Sequence, residues 1–133
     1  MRSLYPLILV QDVEASAIFY EKHFGFTRVF NSDWYIHLRS PAQSVYELAV
    51  IAFDHETIPS AGRAPTKNLI LSFEVEDAAA VHARLVSAGV TIIQPLRDEV
   101  FGQRHFIATD PTGIMLDVIT PIDPDSEWLK ANS

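Results

Sequence analysis

Apolar and polar positions along this chain fall into blocks whose spacing switches between two and three-to-four, and the blocks run in the same order twice. Leu4–Val10 is an apolar run rich in aliphatic residues and predicts a strand. Asp12 stands where a helix N-cap belongs, with a carboxylate able to accept from the free amides of the next turn. Val13, Ala17, Tyr20 and Phe24 then recur at helical spacing, and Gly25 supplies a left-handed stop. Strands are predicted at Thr27–Asn31, Trp34–Leu38 and Val45–Phe53.

The second half repeats this order. Leu69–Val75 predicts a strand, and Asp77 caps a helix whose apolar stripe is Ala78, Val81, Leu85 and Ala88, ended by Gly89. Strands come next at Val90–Gln94, Gln103–Thr109 and Ile114–Thr120, with a loop over Leu96–Gly102. Val10-Gln11-Asp12 matches Val75-Glu76-Asp77 at an offset of 65. Ser40-Pro41 matches Asp110-Pro111, and Glu47-Leu48 matches Asp117-Val118, both at 70. A repeated strand–helix–three-strand unit points to an α+β fold of two βαβββ modules. Their strands are expected to form one curved mixed sheet with the helices on its outer face. Module one spans 4–53, a proline- and glycine-bearing linker 54–66, module two 67–121 and a tail 122–133, together a single domain.

Period-two alternation sorts the strand residues by face. Ile36, Leu38, Leu48, Val50, Phe106, Ala108, Ile114, Leu116 and Val118 belong under the helices. The other face mixes apolar groups with Tyr35, His37, Glu47, His105 and Asp117, the composition of a small-molecule site. Tyr5, Tyr35 or His37 are expected to hydrogen-bond the carboxylates, and His105 to pair with Asp117 if the two converge. Trp34, Tyr35, Phe101 and Met115 suit stacking against a flat organic ligand. Glu47 and Asp117 also qualify as an acid–base pair. His23, His55 and His82 lie on a helix end, in the linker and on a solvated helix flank, and are not candidates. Trp128-Leu129 gives the tail an apolar anchor.

Composition narrows the function. With 133 residues, a net charge of −7 and 10 basic residues spread along the chain, there is no basic face for nucleic acid. The chain has no cysteine, which removes disulfides, thiolate metal sites and thiol nucleophiles and fits a cytoplasmic setting. No apolar run is long enough to span a bilayer, so no membrane partner is expected.

Val10-Gln11-Asp12 opening a helix through Phe19-Tyr20 to Gly25-Phe26 resembles the first half of the vicinal oxygen chelate superfamily. Phe101-Gly102-Gln103-Arg104-His105-Phe106, then Asp110-Pro111-Thr112-Gly113 leading to Asp117, resembles its second half. That superfamily includes glyoxalase I, extradiol dioxygenases, fosfomycin-modifying enzymes and bleomycin-resistance proteins. The resemblance covers residues 4–121 and implies the glyoxalase/bleomycin-resistance fold and a homodimer. Metal-dependent members take ligands from the first and last strands of each module, which falls here on Tyr5, Glu47, Ile70 and Asp117. Histidine or glutamine usually stands at the first and third of these. Isoleucine cannot ligate, and tyrosine does so only as phenolate, against an ordinary pKa of about 10. The residues therefore read as a small-organic-molecule binder without metal or other cofactor, its site drawn from Tyr5, Tyr35, His37, Glu47, Phe101, His105, Met115 and Asp117. The alternative is a lyase, isomerase or dioxygenase whose divalent metal sits at a displaced His37/Glu47/Asp117 site.

Overall fold

The computed structural model describes residues 1–41 and 45–133; residues 42–44, inside module one, lie outside the described residues. The chain divides into two compact units, Met1–Lys67 and Asn68–Ser133, each built around one four-stranded mixed sheet. The first unit carries β1 (Leu7–Val10), α1 (Val13–Phe24), β2 (Thr27–Asn31), β3 (Tyr35–Arg39) and β4 (Glu47–Ala52). Its strand order is β1-β4-β3-β2, with β1 and β4 parallel and the rest antiparallel. The second unit carries β5 (Ile70–Glu74), α2 (Ala78–Ser87), β6 (Ile92–Glu99), β7 (Gln103–Thr109), β8 (Met115–Pro121) and α3 (Ser126–Ala131). Its order, β5-β8-β7-β6, is the same arrangement with β5 and β8 parallel.

Both helices begin as the sequence dictates. The Asp12 carboxylate accepts from Ala15 N–H at 3.0 Å and the Asp77 carboxylate from Ala80 N–H at 3.1 Å. Gly25 closes α1 at φ 72°, a backbone conformation that side chains with a Cβ resist. α1 lays Val13, Ser16, Ala17, Phe19 and Tyr20 on β3 and β4. Beneath them, Ile36, Leu38 and Val50 are fully buried, and in the second unit Phe106, Ala108, Leu116 and Val118 are. Arg28 of β2 pins the outer strand to the helix, donating to Glu14 at 2.8 Å and to Glu21 at 2.9 Å.

Among the described residues, Ser16 Oγ is the buried side-chain polar atom with no hydrogen-bond partner. A hydroxyl shut away from water without a partner costs stability, and alanine is the better helix former. Ser16→Ala is therefore expected to raise stability by about 1 kcal/mol, measured by denaturant unfolding. An unchanged or lower midpoint would show that this hydroxyl finds a partner in solution.

Two expectations are corrected here. Residues 96–99, predicted as part of a loop over Leu96–Gly102, belong to β6, which runs through Glu99. Pro95 cannot donate to a ladder, and the strand accommodates it with register shifts between Gln94 and Arg97. The second correction concerns the repeat. His37 pairs with Ala49 on β4, while its counterpart Ile107 pairs with Asp117 on β8. The parallel pairs agree: Leu7 is level with Ala49, and Ser72 with Asp117. In the register, Asp117 corresponds to Ala49, and Glu47 corresponds to Met115. The cause is loop length, since residues 40–46 link β3 to β4 but only 110–114 link β7 to β8. Each carboxylate lies on the face of its own sheet that points away from that unit's helix, because a shift of two preserves parity, but the two do not occupy equivalent positions.

Candidate functional site

The first unit gathers Tyr5, Tyr35, His37 and Glu47 on the sheet face opposite α1. Antiparallel pairing fixes the neighbours: Arg39 is level with Glu47, and His37 with Ala49. Glu47 reaches diagonally to His37, whose Nε2 lies 2.6 Å from Oε1. On the other side of the ring, Nδ1 lies 2.9 Å from the Tyr35 hydroxyl. A carboxylate only accepts, so the proton of a neutral His37 sits on Nε2 and Nδ1 is left to accept from Tyr35 O–H. Tyr5 stands edge-on to the His37 ring, with centroids 4.5 Å apart. Arg39 Nε lies 3.8 Å from the second oxygen of Glu47.

Tyr35 is held as a phenol, its pKa pushed up to about 12. Burial is the main cause, joined by the neighbouring Tyr5 and by the negative charge of Glu47. Around this polar chain the face is apolar: Leu7 and Phe30 are exposed, Leu9 is half-buried, and Ala49 and Ile51 form a closed floor. The Phe30 and Tyr35 rings meet edge-on at 5.8 Å.

The second unit arranges its candidates differently. His105 is clamped between carboxylates, with Nδ1 2.7 Å from Asp117 Oδ1 and Nε2 2.8 Å from Glu99 Oε2. Both partners are acceptors, so the arrangement favours a proton on each ring nitrogen, the imidazolium form. Burial of the ring opposes that charge, but the hydrogen bonds to Glu99 and Asp117 outweigh it and raise the pKa above 6.5. Glu99 is held below its ordinary value by its hydrogen bonds to His105 and to Arg97, the latter at 2.9 Å. Met115 is half-buried two residues before Asp117 on β8 and level with Ile70. Phe101 lies in the β6–β7 turn, where its ring meets Trp128 of α3 at 6.2 Å.

Sequence reasoning missed Glu99, Arg97 and the packed roles of two histidines. Glu99 fell in the misread loop; the signal was the Arg97–Glu99 alternation leading into the turn. His82 is not a solvated flank, because its ring stands edge-on to Phe106 at 5.0 Å. His55 stacks flat on Trp34, centroids 3.8 Å apart and planes 8° from parallel, which occupies one face of an indole expected to stack on ligand. A cleft of about 400 Å³ opens at the start of α1, lined by Gln11, Asp12, Val13, Glu14, Ser32, Asp33 and Ala52. Its Asp12 caps the helix and its Glu14 is held by Arg28, so both have structural work.

The sequence model of the Glyoxalase/Bleomycin resistance protein/Dioxygenase superfamily matches residues 2–118. The chain belongs to this superfamily. Solved structures agree on the fold. TioX from Micromonospora sp. ML1 is 17% identical with a TM-score of 0.73, over 92% of this chain and 100% of that one. A glyoxalase/bleomycin resistance protein/dioxygenase family enzyme from Burkholderia phytofirmans PsJN is 19% identical with a TM-score of 0.75, over 89% and 97%. A glyoxalase-related enzyme from Fulvimarina pelagi is 24% identical with a TM-score of 0.71, over 94% and 95%. No curated protein matches the sequence.

The donor set does not fit the metal centre that the superfamily's metal-dependent members carry. Glu47 is engaged by His37 and Arg39, and Asp117 by His105. Ile70 offers no donor, and the residue level with Asp117 on β5 is Ser72. Among the described residues, no group of three or more histidine, aspartate or glutamate side chains is arranged to hold a metal ion. Nor is any described helix long and apolar enough to cross a membrane.

Proposed function

We propose that the chain binds a small, mostly apolar organic molecule on the mixed face of its first sheet, without the superfamily's usual metal centre. The observation that carries this reading is the internally satisfied chain Tyr35–His37–Glu47 set in an apolar and aromatic surround of Tyr5, Leu7, Phe30 and Ile51. A few fixed polar groups in an apolar wall orient an organic ligand, whereas a metal centre requires ligands that converge and remain available. On the second sheet His105 and Asp117 are held together with Glu99 in a charged cluster. A homodimer belongs to the same proposal, supported by large apolar side chains in water: Phe30 is 54% exposed and Tyr46 64%.

Thermal unfolding of the EDTA-treated protein tests the reading. A small aromatic ligand at a hundredfold excess over its Kd is expected to add about 2.7 kcal/mol, a rise of several degrees. Zn(II), Mn(II), Ni(II) and Fe(II) are expected to add nothing. A metal-selective rise that disappears in Asp117→Asn would overturn the metal-free reading, and the absence of any ligand shift across an aromatic library would overturn the binding reading.

A further inference from the structure

The first sheet's polar chain is more than an anchor, and its further role rests on the ligand binding proposed for that face. Its members form a row that begins at the surface: Tyr5, 38% exposed; Tyr35; His37, with 13% of its side chain exposed; and Glu47, with 20%. Tyr5 stands edge-on to the His37 ring with centroids 4.5 Å apart, Tyr35 meets Nδ1 at 2.9 Å, and Nε2 meets Glu47 at 2.6 Å. Such a row has two proton arrangements with the same heavy-atom geometry. With neutral His37, Nδ1 accepts and the Tyr35 oxygen has a lone pair to offer outward. With His37 as imidazolium, Nδ1–H donates to the Tyr35 oxygen and the Tyr35 O–H is turned outward. In both, Nε2–H stays on Glu47, which fixes the ring and balances the imidazolium charge. Among the described residues, Arg39, 3.8 Å from Glu47, is the further charged group set against this row.

We propose that Tyr35 and His37, positioned by Glu47, take the proton of a weakly acidic phenol or enol and bind it as its conjugate base. The step balances without a metal or redox partner. The ligand O–H bond breaks and its proton forms an O–H bond at Tyr35, while the proton already on Tyr35 moves to His37 Nδ1. No bond between heavy atoms changes. The result is a ligand oxyanion facing the hydroxyls of Tyr35 and Tyr5, with an imidazolium behind them and the Glu47 carboxylate behind that. Two oriented hydroxyl donors are what a localised oxyanion needs in an apolar surround. The high pKa of Tyr35 suits this role, because a phenol that resists ionisation passes protons without trapping the charge. The carboxylate at a superfamily metal position thus serves a histidine instead of a cation.

The probes are para-nitrophenol and its non-acidic ether para-nitroanisole, added to EDTA-treated protein at a pH where the free phenol is mostly un-ionised. The phenolate absorbance band should grow on binding, with the bound phenol ionised at least about tenfold more than the free one, one unit of pKa. Tyr35→Phe and His37→Gln should abolish that band, and Glu47→Gln should weaken it. Nitrogen NMR of the wild-type imidazole gives a readout that needs no variant: His37 Nδ1 should gain a proton when para-nitrophenol binds. Para-nitrophenol bound as the neutral phenol, or a band that survives Tyr35→Phe, overturns the inference while para-nitroanisole binding still supports the pocket. Binding of neither probe counts against both.

Discussion

Replacing His105 with alanine is expected to cost about 3–5 kcal/mol, the range for breaking a buried charge pair by removing one partner. The wild-type ring has 7% of its side chain exposed and separates the carboxylates of Glu99 and Asp117, themselves only 21% and 16% exposed. Without it the two negative charges face each other in a poorly solvated space, where repulsion is weakly screened and their hydrogen-bond capacity is unfilled. For a chain of this size the melting temperature should drop by about 10 °C or more. The pH dependence is set by the sign of the shift. The folded-state pKa of His105 lies above 6.5, so its contribution is fully present below about 6.5 and is lost as pH rises through the raised value. Unfolding free energies of wild type and His105→Gln, measured from mildly acidic to alkaline pH, should converge as pH rises. Parallel profiles for wild type and His105→Gln would mean that the ring is not an imidazolium in the folded protein.

Gly102→Ala is expected to cost about 3 kcal/mol and to loosen the C-terminal segment before the rest of the second unit. Gly102 holds φ 104°, a region closed to side chains with a Cβ. An added methyl would also meet the Ile122 carbonyl oxygen at 2.9 Å, and that oxygen is backbone, with no rotamer to move away. The strand end and the tail are held together there: Ile122 N–H donates to the Gly102 carbonyl at 2.9 Å and Asp125 N–H to the Val100 carbonyl at 2.7 Å. Hydrogen exchange should therefore show the amides of Ile122 and Asp125 losing protection first. Full protection at both, with unchanged stability, would show that the turn relaxes at no cost.

Much of this was legible in the residues. The order of elements, the two aspartate caps and the helix-facing sides of β3, β4, β7 and β8 follow from spacing and capping chemistry alone. So does the pairing of Glu47 with His37, because alternation puts both on one face and a half-buried carboxylate needs a donor; Tyr35, also expected on the carboxylate, bonds the other side of the His37 ring instead. Four things were not legible, for separate reasons. The extension of β6 was hidden by Pro95, which reads as a strand breaker unless a bulge absorbs it. Glu99 as the second partner of His105 depends on that bulge, since a register shift decides which residue comes level with the ring. The equivalence of Glu47 and Asp117 was misread because matching residue types at an offset of 70 looked like a repeat, while pairing depends on loop length. His55 on Trp34 is a contact between the linker and a strand start, and no periodicity encodes it.

The placement of the two tryptophans gives each compact unit its own optical reporter. Trp34 belongs to the first unit with the His55 ring stacked flat on it, so its emission should change if that ring leaves; Trp128 belongs to the second and should report whether α3 stays docked on Phe101. Emission from Trp34→Phe and Trp128→Phe therefore separates events that the wild-type signal would merge. Tail release appears in one channel, and opening of the linker over the first sheet appears in the other.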